Sequence, residues 1–277
     1  MNTQNNNRTQ VALVTGASSG IGKAIASQLI EDGLIVYAVA RRVEKMQDLE
    51  KRGAIALRMD ITVEADIQTV IQQIEQNDNS VDILVNNAGY AIYGAVEDIT
   101  LEDARRQFEV NLFGLASLTK LVLPKMRAKE SGKIINISSI GGKTYNPLGS
   151  WYHASKHALE GWSDCLRLEL SPFNVDVVII EPGVIKTDFG NVTLEPMLAC
   201  SSNSTYSAMA KKIEKMVKSY KQGSASSPTV IAKVVSQAIK AKKPKTRYVA
   251  GKLAKPLILM RKLLSDRLFD KIIMSAY

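Results

Sequence analysis

One feature limits what this chain can fold into more than any other: short β-branched runs alternate with helical stretches along its whole length. The apolar runs are QVALVT (10–15), LIVYAV (34–39), AIALRM (54–59), VDILVN (81–86), GKIINIS (132–138), NVDVVII (174–180) and TRYVA (246–250). Helical periodicity lies near 20–32, 43–52, 63–77, 101–128, 150–171, 206–221, 228–242 and 253–274. Several runs are apolar almost throughout, as strands are when helices cover both faces of a parallel sheet. Strands alternating with helices require right-handed crossovers. The predicted fold class is therefore α/β: a single-domain doubly wound parallel sheet, Rossmann-like, with helices on both faces. The expected organisation is a flexible N-terminal tail (1–9), a main Rossmann-type domain (10–250) and a basic helical extension (251–277). Residues 183–205 are expected to be irregular, within a substrate loop of about 183–225.

Composition adds bounds. No apolar run approaches the length of a membrane span. Cys165 and Cys200 cannot staple a chain of this size, so a reducing cytoplasm is the expected compartment. The net charge of +9 is unevenly spread. Residues 201–277 hold 17 Lys+Arg against 3 acidic residues, and the first 200 hold 19 against 24. That distribution does not point to nucleic acid. A basic, partly apolar C-terminal segment has the character either of a weak membrane-surface contact or of a solvated helix face.

In a doubly wound sheet, ligands bind beyond the carboxyl ends of the strands. The first strand is followed by TGASSGIG, with Thr15, Gly16, Gly20 and Gly22. Glycines let backbone approach a diphosphate, and the helix opening near Gly20 offers free N–H groups. The second strand is followed by Ala40-Arg41-Arg42, with no carboxylate to hold a ribose 2′-hydroxyl. Two guanidiniums suit a 2′-phosphate, so NADP(H) is expected over NAD(H). Asp60 follows the third strand as an acceptor for an adenine amino group, and Asn86-Asn87-Ala88-Gly89 forms a small-residue turn after the fourth.

These motifs resemble the short-chain dehydrogenase/reductase family. The matching residues are TGxxxGxG at 15–22, Asp60, NNAG at 86–89, Asn111 in VNLFG, Ser139 in NISSIGG, Tyr152 and Lys156 in YxxxK, and EPGVIKT at 181–187. The resemblance runs over about residues 8–190. Within the family the chain is similar in tone to NADP(H)-using 17β-hydroxysteroid dehydrogenase-like and acyl-dihydroxyacetone-phosphate reductase-like members. It implies a catalytic set of Asn111, Ser139, Tyr152 and Lys156. The implied cofactor set is Gly16, Ser18, Ser19, Gly20, Ile21, Gly22, Arg41, Arg42, Asp60, Ile61, Asn87, Ala88, Gly89, Tyr152, Lys156, Pro182, Gly183, Val184, Ile185 and Thr187. In that scheme Asn111 holds a water leading from Lys156 to solvent, Lys156 bonds ribose hydroxyls, and Thr187 holds the nicotinamide carboxamide. A homodimer or homotetramer is implied as well.

The implied chemistry is reversible hydride transfer between NADP(H) and a small-molecule carbonyl or secondary alcohol. The oxyanion formed needs a proton, and an ordinary phenol with a pKa of about 10 gives one up reluctantly near neutral pH. Lys156 is one helical turn from Tyr152 on the same face. A unit charge at about 4 Å, with an effective dielectric near 20, is worth about 4 kcal/mol, which predicts a phenol lowered toward neutrality. Ser139 ends the fifth strand and faces the crevice, whereas Ser138 should point away. Tyr248 and Lys252 repeat the spacing, but at a strand end, where residues four apart are not neighbours. His153 and His157 are expected at the helix surface or pocket edge, with no metal. Trp151, Tyr145, Leu148 and Tyr90 are candidates for pocket lining or for ordinary core. Met197, Leu198, Met209 and Met216 could shape an apolar cavity for a lipophilic ketone or aldehyde. Two other readings use the same residues: a non-catalytic NADP(H) sensor, and a membrane-surface protein acting through its basic end.

Overall fold

The computed structural model describes residues 8–78, 80–219 and 225–277. Most of the expected N-terminal tail and the end of the helix expected at 206–221 lie outside the described residues. All seven expected strands form: β1 (Val11–Thr15), β2 (Ile35–Ala40), β3 (Ile55–Arg58), β4 (Ile83–Asn86), β5 (Gly132–Ile137), β6 (Val175–Pro182) and β7 (Arg247–Ala250). They make one sheet in the order β3-β2-β1-β4-β5-β6-β7, with every pairing parallel. The order reverses between β1 and β4, which opens a crevice at their carboxyl ends.

The uniform apolarity of the strands follows from burial on both sides. Ala12 and Val14 of β1, with Val36 and Ala38 of β2, face a core shared with α1 (Gly20–Glu31) and α9 (Pro228–Lys240). Val11 and Leu13, with Tyr37 and Val39, face the opposite core under α3 (Glu64–Asp78), α5 (Gly114–Ala128) and α6 (Ser150–Leu170). Each fully buried Leu or Ile contributes about 1.5–3 kcal/mol. Truncating Leu13, which touches no solvent, to Ala would cost about 2–5 kcal/mol.

Three expected elements differ from what forms. The stretch 101–128 is not one regular helix. It is α4 (Leu101–Phe108), capped by Thr100 accepting from Asp103 N at 3.1 Å, then a π-helical turn over Glu109–Phe113, then α5. Residues 183–205 are not irregular throughout, because α7 (Phe189–Ser201) forms there with Pro196 in its interior. The C-terminal stretch 253–274 breaks in two. α10 (Ala254–Leu263) ends where Leu264 turns extended, and Ser265 precedes α11 (Asp266–Ser275). The remaining helices are short α2 (Gln47–Glu50), which follows a 3₁₀ turn, and α8 (Ser207–Ser219). No described helix is long and apolar enough to cross a membrane.

Candidate active site

A cavity of about 940 Å³ runs along the carboxyl ends of the strands, and all the predicted cofactor residues line it, together with Ser139. Asn111 does not line it. The floor is built from hydrogen bonds that tie one strand end to the next. Thr15 Oγ1 accepts from the backbone N–H of both Asn87 and Ala88 at 2.9 Å. Asn87 Nδ2 donates back to Thr15 O at 2.9 Å. Gly16 has φ +67°, and α1 starts so close behind it that a Cβ on Gly22 would lie 2.4 Å from Gly16 O. The result is a cradle of backbone at a helix N-terminus, which suits a diphosphate.

Arg41 and Arg42, after β2, are exposed and line the same cavity. Lys45 lines it too and makes a third cation there. Lys45 was missed in the sequence because nothing in a lone Lys within VEKM signals it. Asp60 accepts from Thr62 N at 3.0 Å and from Thr62 Oγ1 at 2.8 Å. Burial works against its charge, but those donors and the charges of Arg41 and Arg106 hold its carboxyl below the usual range. These residues fit a phosphorylated dinucleotide: a backbone cradle for diphosphate at one end and a cation cluster at the other.

The four predicted catalytic residues converge. Tyr152 is buried near the start of α6, with the Ser139 side chain beside its phenol. Tyr93 and Phe189 flank its ring, with centroids at 5.6 and 6.0 Å. Ser139 follows β5 and accepts from Gly141 N at 3.0 Å, which fixes its rotamer. Ser138 Oγ is buried and has no partner among the described residues. Lys156 Nζ, buried one turn beyond Tyr152, donates to Ile137 O at 2.9 Å. Asn111 sits in the π-helical turn. Its Oδ1 accepts from Tyr90 N at 2.8 Å, and its Nδ2 donates to Tyr90 O at 2.8 Å and Ser155 Oγ at 3.0 Å. Asn111 therefore bonds the loop after β4, not its own helix, and the π turn is what aims it there.

The electrostatics reverse one expectation. Burial pushes the Tyr152 phenol above its ordinary value, and the neighbouring Ser139 side chain only partly offsets this. Burial likewise lowers Lys156 to about 8, against the favourable charge of Glu160. Removing both groups from water costs each its charged form, and the ammonium donates to the Ile137 carbonyl rather than to the phenol.

Beneath Lys156 lies a charge cluster that the sequence did not reveal. Glu160 and Glu181 are both buried. Arg247 reaches Glu160 at 3.0 Å, Asp164 at 2.6 Å and Glu181 at 3.4 Å, and Lys143 reaches Glu160 at 2.9 Å. Burial, and then the neighbouring Glu160, raises Glu181 to about 7, while Lys143 and Arg247 pull the other way.

His153 is buried, not at the helix surface. Its ring nitrogens lie 2.9 Å from Gly141 O and 2.5 Å from Asn146 Oδ1, so it holds the loop beside Ser139 at the cavity edge. His157 is exposed on the helix surface, as expected, with Nδ1 2.9 Å from His153 O. Tyr90, Tyr145, Met197 and Met216 line the cavity, whereas Trp151, Leu148, Leu198 and Met209 pack into apolar clusters. Tyr248 packs against the core from β7.

Residues 10–197 match the short chain dehydrogenase family model, and the chain belongs to that family. It is therefore an oxidoreductase by family, with a single Rossmann-like sheet. It is 34% identical over 277 residues, covering 94% of this chain and 95% of the relative, to an NADPH-dependent 3-dehydrocapnine reductase of Ornithobacterium rhinotracheale. A 3-ketodihydrosphingosine reductase of Bacteroides thetaiotaomicron is 42% identical over 181 residues, which is 65% of each chain. Among solved structures, a short-chain dehydrogenase from Streptomyces avermitilis superimposes with a TM-score of 0.80 at 33% identity, covering 96% of this chain and 95% of that one.

Proposed function

We propose that this protein reduces a ketone on a long aliphatic molecule, using NADP(H), with Tyr152 as the general acid. The observation that carries the reading is the continuity of the cavity. It runs from the Arg41, Arg42 and Lys45 cations, past the Tyr152–Ser139 pair, into a chamber walled by Leu194, Met197, Ile213, Leu257, Met260 and Ile273. The names of the two relatives support a ketone substrate, and one of them supports NADPH. The apolar chamber supports an aliphatic chain.

The cradle at Gly16–Gly22 binds the diphosphate, and Arg41 with Arg42 takes the 2′-phosphate. When bound, the dinucleotide supplies the hydride. Ser139 Oγ and Tyr152 Oη hold the substrate oxygen, and Tyr152 gives it a proton. The raised phenol pKa suits that direction, because the acid is fully protonated at neutral pH. Lys156 bonds the ribose while charged, and Asn111 fixes the loop after β4 against Ser155. Free Cys165 and Cys200 support a cytoplasmic setting. Exposed Phe113 and Leu168 on the α5–α6 side support assembly as a homodimer or homotetramer.

The test is NADPH consumption with a series of 3-ketones of increasing chain length. Tyr152→Phe should lower kcat about 10²–10⁴-fold. In the wild type, kcat/KM for reduction should hold through neutral pH and fall above about 8 as Lys156 loses its proton. Equal rates in wild type and variant would remove the proposed proton donor.

A further inference from the structure

The C-terminal helices have apolar residues on two sides. Leu257 and Met260 of α10 and Ile273 of α11 line the chamber, and Phe269 is fully buried. Other apolar side chains of the same helices face water: Leu259 is 56% exposed, Leu263 71%, Leu268 47% and Met274 48%. Four such residues fall on two consecutive helices. The cavity lining has exposed apolar residues of its own. Phe189, Val192, Leu253 and Ile272 each line the cavity and are each exposed as well.

Charge is interleaved with these residues. Residues 251–277 hold six basic side chains and two acidic ones. Both acids are engaged within this part of the fold: Asp266 with Arg261 at 2.8 Å, and Asp270 with the Tyr145 hydroxyl at 2.8 Å. Arg261 is further occupied over the rings of Tyr145 and Phe269, at 5.4 and 5.5 Å. Lys255, Lys262, Arg267 and Lys271 form no ion pair among the described residues. The acids that could neutralise the face are used internally, and its cations are left to meet something else.

We propose that α10, α11 and the apolar rim dock onto an anionic lipid bilayer, so that a lipid-like ketone enters the chamber from the membrane without crossing water. Exposed leucines set among unpaired cations match the acyl–headgroup boundary of such a surface. A second copy of this chain fits less well, because a two-fold contact would set these lysines against each other. Neither helix spans the bilayer; both lie along it. The entry route rests on the chamber being the substrate site, whereas the docking does not.

The experiment is flotation of the full chain with phosphatidylcholine vesicles, with and without phosphatidylglycerol. Binding should require the anionic lipid and weaken about tenfold or more when salt is raised. Leu259→Ser with Leu263→Ser and Leu268→Ser should abolish flotation while leaving turnover of a short water-soluble ketone unchanged. Reversing charge at Lys255, Lys262 and Lys271 with Glu should do the same. No flotation, equal flotation on neutral vesicles, or wild-type flotation by the serine variant would overturn the proposal. So would a dimer dissolved by the serine substitutions in the absence of vesicle binding. Flotation without turnover of any ketone would instead count against the catalytic reading alone.

Discussion

The cofactor side of the crevice and the chamber side are held by different forces. On the cofactor side, several functional side chains are fixed by polar bonds to backbone of another element: Thr15 to Asn87, Asn111 to Tyr90, Lys156 to Ile137. On the chamber side, α7 and α8 pack through an apolar cluster that buries Leu148, Leu194, Met197 and Ile213. Directional bonds fix position to a few tenths of an ångström and allow few residue types. Apolar contact fixes volume and tolerates many types. The first arrangement suits a constant cofactor, and the second suits a substrate whose shape is set by which side chains fill the wall.

The most severe challenge to that contrast is at the cation cluster, because Arg41 and Arg42 belong to the cofactor side yet are exposed and make no ion pair among the described residues. If they are specialised for the dinucleotide like the rest of that side, Arg41→Asp with Arg42→Ala should shift the ratio of kcat/KM for NADPH over NADH by one or two orders of magnitude. An Arg–phosphate contact is worth about 1.5–3 kcal/mol. An unchanged ratio would make them bystanders and leave Lys45 as the remaining candidate.

The same contrast explains what the sequence disclosed. Thr15, Gly16, Asn87, Ser139, Tyr152 and Lys156 could be read because each is required by a bond or a close approach that few side chains can make. The strands could be read because burial on two faces leaves them almost wholly apolar. The π turn at Asn111 could not be, since its residues carry ordinary helical periodicity and the extra residue is selected by the loop it reaches. Helix α7 was hidden by Gly190, Thr193 and Pro196, whose local preferences oppose the helix that tertiary contact imposes. The break between α10 and α11 did leave a signal, because Ser265-Asp266 is a helix start inside an apolar run. The Glu160–Glu181–Arg247 cluster was missed because its members lie on distant segments.

That cluster, which starts one helical turn beyond Lys156 on α6, gives a test of intermediate size. Glu181 titrates at about 7 in the fold, against an unperturbed 4.5. The native state therefore binds more protons than the unfolded chain between those values, and stability falls as pH rises from about 4.5 to 7. Glu181→Gln should flatten that fall and raise stability above pH 7 by about 1–3 kcal/mol. Thermal melts of both proteins at several pH values from about 5 to 8 would show it. A variant less stable than wild type at the upper end would mean that Arg247 needs the Glu181 charge more than the fold suffers from burying it. The Lys156 window lies higher, between about 8 and 10.5, so the two effects separate.

The smallest effect is expected on the chamber side. Leu257 lines the cavity from α10 and makes no polar contact through its side chain. Leu257→Ala should leave the cofactor KM and the rate with a short ketone unchanged. For a long-chain ketone it should raise KM several-fold, because the lost contact is worth about 1–3 kcal/mol at most and the wall can partly collapse. The dependence on chain length is what matters. A uniform loss across all chain lengths would mean that α10 positions Ser139 or Tyr152 through the 3₁₀ turn at Ile140–Gly142, so that the chamber side would fix catalytic geometry just as the cofactor side does. A loss that grows with each added methylene would confirm that this wall measures its substrate by apolar area alone.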